Sequence, residues 1–134
     1  MITFKTFLTG IFWWMYVATE KYILEQSAFF SRFAEGSTML NSVGIVGHFI
    51  SIFFISGFFT LIVFRHRQTN LTQVLLFAIA MCAVSSTLDF FIGATLLYKG
   101  SLASFVQWYV VGGYAICILS CLLFARRIPG LQKH

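Results

Sequence analysis

The chain has 134 residues, of which 59% are hydrophobic, 19% aromatic and only 10% charged, with a net charge of +5 and a mean hydropathy of +0.87. A soluble domain carries about 25% charged residues, so water is the wrong solvent for most of this chain, and no soluble catalytic or nucleic-acid-binding domain fits in what remains. The single proline, Pro129, leaves long Phe, Ile, Leu and Val runs unbroken, as suits helices that satisfy their backbone hydrogen bonds internally inside a bilayer.

A spanning helix needs about 20 apolar residues at about 1.5 Å each. The first predicted span covers about 4–24. Its apolar centre, Phe7 to Ala18, is short, but Lys5 can snorkel at one end while Glu20 and Lys21 lie near the other. A cleaved signal peptide is the rival reading, and it wants small residues before the cleavage site, where this segment has Tyr16, Glu20, Lys21 and Tyr22. An outer loop follows at 25–42. Phe29, Phe30 and Phe33 cluster on one side of a short helix that Ser27 would cap and Gly36 would end; it would lie flat in the interface or pack over the mouth of the bundle.

The second, third and fourth predicted spans cover about 43–64, 71–98 and 102–125. Arg65, His66 and Arg67 close the second, and Arg126 with Arg127 closes the fourth. Four spans put Lys5, Arg65, Arg67, Arg126, Arg127 and Lys133 on one side, against Lys21, Arg32 and Lys99 among Glu20, Glu25 and Glu35 on the other. The positive-inside rule makes the first side cytoplasmic. The basic balance is then accounted for by topology and anionic headgroups, with no need of nucleic acid. The expectation is a single all-α domain over 1–134, an integral membrane four-helix bundle with both termini cytoplasmic. Its short loops and lack of a targeting segment point to a bacterial inner membrane.

Trp13, Trp14, Tyr16, Tyr22, Tyr98, Trp108 and Tyr109 read mostly as interface anchors or packing residues, although Trp13 and Trp14 sit deep enough to face a partner. Helices in lipid associate through close backbone approach, so small residues repeated at about four-residue spacing mark contact faces. The fourth span has Gly113, Cys117, Cys121 and Ala125; the third has Ala78, Cys82, Ser85, Ser86, Asp89 and Gly93; Gly47 and Ser51 give the second a shorter version. The same spacing raises a metal or redox reading for Cys117 and Cys121 with Cys82. Thiolates in hydrocarbon need charge compensation, and no CxxC or Cys/His cluster accompanies them. They are read as small packing residues, with no metal and no cofactor expected. Haem fares similarly: His48 and His66 are about 27 Å apart on one helix, and His134 is in the tail.

Asp89 is the strongest single clue, because an ionisable group within a spanning helix is by default a functional-site hypothesis. It lies about 13 Å from the outer end of its span by helical rise. His48 enters from the same side, and Glu20, Lys21, Ser51, Ser85 and Gln107 fall in the same outer half. They define a candidate polar pocket centred on Asp89 and His48, with Lys21 as an alternative partner; the competing roles are a structural lock between helices and a contact to another subunit. No Ser-His-Asp context, HExxH, phosphate loop or nucleotide fingerprint occurs; a catalytic site could be built only from Asp89, His48, Glu20 and Lys21, and nothing in the sequence specifies a substrate for it.

The stretch Gly10-Ile11-Phe12-Trp13-Trp14-Met15-Tyr16-Val17-Ala18-Thr19-Glu20-Lys21 resembles the first span of DoxX-like membrane proteins, in which a glycine and apolar run lead to an outer lysine. Gly57-Phe58-Phe59-Thr60 resembles that family's Gly-aromatic-Thr ending to the second span. Length and four-span layout are similar across nearly the whole chain, while the acidic residue early in the family's second span is absent, with His48 nearby. The resemblance implies a small membrane subunit accompanying redox or stress proteins, and a role for Lys21. Three functions follow in order. The first is a component acting by helix association, as accessory subunit of a membrane complex or as an immunity or exclusion protein, partnered by another membrane protein or a second copy. The second is a small homo-oligomeric proton, cation or solute transporter using Asp89 and His48. The third is a quinone- or haem-linked redox subunit.

Overall fold

The computed structural model describes residues 4–26, 38–92 and 108–131. They form four helices: α1 (Phe4–Gln26), α2 (Thr38–Phe64), α3 (Leu71–Leu88) and α4 (Trp108–Ala125). The described residues contain no strand, only an isolated bridge between Thr69 and Leu131, so the fold is all-α. Both α1 and α2 are longer than the runs expected at 4–24 and 43–64. The predicted interfacial helix, the outer part of the third span and the start of the fourth fall largely on 27–37 and 93–107, outside the described residues.

Two helical stretches, Val46–Phe64 and Leu71–Ile92, are long and apolar enough to cross a membrane, each with mean hydropathy 2.1. Only 22% and 33% of them, respectively, is buried against the rest of the chain. A core helix of a soluble protein hides its apolar residues, whereas α2 leaves Val46, Ile50, Phe54, Phe58 and Ile62 more than half exposed, one on each successive turn. By the same measure α4 contributes a shorter apolar stretch, Val111–Ala125.

The direction of each helix follows from who meets whom. Gly10 lies against Val84 and Trp14 against Asp89, so α1 and α3 run parallel. Trp13 meets Ser56 and Glu20 meets His48, so α2 runs antiparallel to α1. Gly112 faces Phe49 and Gly57 faces Phe124, so α2 and α4 are parallel. The two most extensive interfaces are these parallel pairs, α2 with α4 and α1 with α3; α3 against α4 and α1 against α2 close the ring. Although consecutive in the chain, α2 and α3 therefore lie across the bundle from each other.

The start of α1, the 65–70 turn and the 126–131 tail consequently share one end, which carries Lys5, Arg65, Arg67, Arg126 and Arg127. The turn is built by local hydrogen bonds. Asn70 caps α3 by accepting from the Gln73 N–H at 2.9 Å, and the Gln73 side chain accepts in return from the Asn70 N–H at 3.3 Å. The tail docks there: the Thr69 N–H donates to the Gly130 carbonyl at 3.1 Å, and Ile128 is buried among the core residues.

The small-residue rows are consumed inside the chain. Ala78, Cys82 and Ser85 on α3 and Gly113, Cys117, Cys121 and Ala125 on α4 are all buried, packed around Trp13, Ile52 and Met81. Gly47 departs from its expected contact role: among the described residues nothing lies within 4 Å of where its Cβ would stand. Close approach on α2 happens instead at Gly57, where a Cβ would sit 2.5 Å from the Phe124 ring. Gly93 lies outside the described residues. Buried hydroxyls are satisfied within the bundle, Thr60 donating to the Ser56 carbonyl at 2.9 Å and Ser120 to the Phe53 carbonyl, as burial of a polar group requires.

Candidate functional site

Asp89 sits where α3 changes geometry. Its N–H reaches the carbonyls of both Ser85 and Ser86, and residues 89–92 continue as a single π-helical turn. Such turns recur at functional sites because the wider ring re-aims a side chain from an otherwise regular helix. Here the carboxylate is aimed into the bundle. The Trp14 indole N–H donates to Oδ1 at 2.7 Å and the Tyr114 hydroxyl to Oδ2 at 3.0 Å. Asp89 thus ties α1 and α4 to α3 through both of its oxygens, using neutral donors. Ser85, one turn before Asp89 on the same helix, is 1% exposed.

His48 belongs to a second cluster. Its Nδ1 lies 3.0 Å from Glu20 Oε2, with the two side chains 13% and 20% exposed. One turn along, the Tyr16 and Ser51 hydroxyls are 2.6 Å apart, and deeper still the Trp13 indole N–H donates to Ser56 at 2.8 Å. The single pocket centred on Asp89 and His48 is therefore two clusters, an α1–α3–α4 carboxylate clasp and an α1–α2 ladder. The division has a simple cause: α2 lies across the bundle from α3, with α1 and α4 between them. The Lys21 and Gln107 side chains lie outside the described residues.

Two members of the clasp, Trp14 and Tyr114, are not singled out as Asp89 partners by their sequence context. Their positions do carry a signal. Tyr114 stands three and seven residues before Cys117 and Cys121, on the buried face of α4, and Trp14 is one turn beyond Gly10, the residue against which α3 closes.

Chemically, the clasp and the ladder can hold helices, share protons or receive a polar ligand. Among the described residues no group of three His, Cys, Asp or Glu is arranged to hold a metal ion. His48 lies within α2 and His66 in the turn that follows it, about 27 Å apart by helical rise, too far to clamp one haem. Cys82, Cys117 and Cys121 are free thiols, all buried. Trp13, Ile52, Met81, Ser56, Ser85 and Ser120 are each under 2% exposed and fill the described part of the bundle's interior. Space exists on the outside instead, in an apolar groove of about 290 Å³ between α2 and α4, edged by Val46, Ile50, Phe54 and Ile116. A larger one, of about 600 Å³, lies at the arginine-rich end.

The geometry defines a class, an all-α four-helix bundle with two helices apolar enough to cross a membrane and polar clasps in one half. No family model, curated protein or solved structure matches the chain.

Proposed function

We propose that this chain is a multi-pass inner-membrane protein with four spans and cytoplasmic termini, acting without catalysis by associating with another membrane protein or a second copy of itself. Membrane placement is supported by the outward apolar faces of α2 and α3 and by the collection of five basic residues at one end of the bundle. A DoxX-like relationship, proposed on Gly10–Lys21 and Gly57–Thr60, is consistent with an accessory subunit; an immunity or exclusion role uses the same chemistry.

The observation that carries association is the α2–α4 groove beside the outward row Val46, Ile50, Phe54 and Phe58. The small-residue rows cannot serve a partner because they already hold this chain together. A groove flanked by aromatic ridges offers a second helix the shape complementarity that drives association in lipid. Native mass spectrometry after gentle extraction tests this. The expected result is a stoichiometric complex larger than the 15.2 kDa chain, lost in Ile50→Trp, which fills the groove from its exposed rim. A monomer in wild type, or a complex indifferent to Ile50→Trp, counts against it.

One observation favours transport as a second reading: Asp89, Glu20 and His48 place three ionisable side chains, all partly buried, in the same half of the bundle. Four helices leave little room for a pore within one chain, so a passage would form between copies. Proton flux into proteoliposomes, abolished by Asp89→Asn at unchanged folded yield, is the result this reading requires.

A further inference from the structure

The larger groove has the shape and polarity of a lipid site. Its floor is Phe64, Phe77 and Ala80, exposed by only 8%, 4% and 7%, while Leu76 and Ile79 on its outer wall are 60% and 47% exposed. The wall is open on the side that would face hydrocarbon, because α2 and α3 lie diagonally and α3 carries only alanines at 80 and 83, both in the lining. Arg67 and Gln73 line the turn end. The Gln73 carboxamide oxygen is occupied by the Thr69 hydroxyl at 2.8 Å and the Asn70 N–H at 3.3 Å. What Gln73 offers beyond the turn is therefore its NH₂, a donor beside a guanidinium. No carboxylate is among the lining residues.

Length agrees with polarity. From Gln73 to Ala83 is about 15 Å of helix, half of a hydrocarbon core about 30 Å thick, and so the depth of one leaflet. A guanidinium with the carboxamides of Gln68 and Gln73 and no carboxylate at the headgroup end, joined to a largely apolar channel one leaflet deep, matches a phosphodiester on an acyl chain. We propose that this groove binds one anionic phospholipid of the adjoining leaflet, its phosphate at Arg67 and Gln73 and an acyl chain along Phe77, Ala80 and Ala83. The proposal rests on the membrane placement above and is independent of the α2–α4 partner reading. Occupancy would couple the 65–70 turn, and the tail docked on it, to the lipid around the protein.

The test is native mass spectrometry of the full chain titrated with phosphatidylglycerol or phosphatidylcholine of identical chains. Arg near a membrane surface contributes about 1 kcal/mol toward anionic lipid, so a preference of about fivefold for phosphatidylglycerol is expected. Arg67→Gln should remove that preference while Arg127→Gln, off the groove, keeps it; equal loss in both variants would mean a diffuse basic surface and overturn the site. Ala83→Phe, which adds bulk at the open end of the groove, should lower the retained adduct severalfold for both lipids, and an unchanged adduct overturns the acyl-chain placement. Independently of variant folding, phosphatidylglycerol carrying a diazirine near the glycerol end of its chain should label wild-type residues between Leu76 and Ala83. Labelling spread over all helices overturns the proposal, and none of these readouts depends on whether a protein partner binds.

Discussion

Trp14 and Asp89, 75 residues apart in the chain, meet at 2.7 Å, indole nitrogen to carboxylate oxygen. With Tyr114 on the other oxygen, the carboxylate joins three of the four helices at one point. A carboxylate accepting from two donors leaves those donors dependent on it, and the dependence can be measured.

Replacing Asp89 by Leu strands the Trp14 N–H and the Tyr114 O–H in an apolar setting, which costs about 1–3 kcal/mol. Asp89→Asn keeps an acceptor for Trp14 and should cost less. The measurement is unfolding stability in a fixed detergent. A double-mutant cycle with Trp14→Phe should then return a coupling of about 0.6 kcal/mol, the average found between helices in a membrane. Zero coupling would show that the clasp contributes no stability, leaving a ligand or proton role as its reason to exist.

Gly57 and Gly47 stand ten residues apart on α2 and should respond oppositely to alanine. At Gly57 the new methyl would sit 2.5 Å from the Phe124 ring, and overpacking of this kind costs about 1–3 kcal/mol. At Gly47, where no described atom is within 4 Å, alanine should stabilise the helix by up to about 1 kcal/mol through restricted backbone freedom. Thermal unfolding of both variants checks the pair, and a destabilised Gly47→Ala would reveal a neighbour at that face.

Cys82, Cys117 and Cys121 should resist modification in the folded state, since the last two are fully buried and the first is 8% exposed. A membrane-permeant maleimide should label none of them in intact membranes and all three after denaturation in hot detergent. Rapid labelling of the native protein would show that the α3–α4 interface opens.

The tail should depend on Gly130. A Cβ there would stand 2.5 Å from the Arg67 carbonyl oxygen, a backbone atom that cannot swing aside. Gly130→Ala is expected to undock residues 128–131, seen as faster amide exchange at Thr69, whose N–H otherwise donates to the Gly130 carbonyl. Fusions to the chain's end should also report its side: a fluorescent cytoplasmic reporter and an inactive periplasmic phosphatase are the outcomes that fit the arginine distribution.

Composition and period alone determined that the chain is all-α, because long runs of Phe, Ile, Leu and Val with a single proline favour helices, and the arginines at 65, 67, 126 and 127 marked where α2 and α4 stop. The small rows at 78–85 and 113–125 were legible for the same reason: close helix contact demands small residues. Sequence left the identity of the contacting helices open, since four-residue spacing states that a face is packed and not against what. Only the tertiary structure placed α2 diagonally from α3, parted His48 from Asp89, gave Asp89 to Trp14 and Tyr114, and brought Gly57 against Phe124. Those outcomes depend on the rotation and order of rigid helices about one axis, a choice settled by how bulky rings such as Trp13 and Phe124 fit together, and such fit has no period in a linear chain.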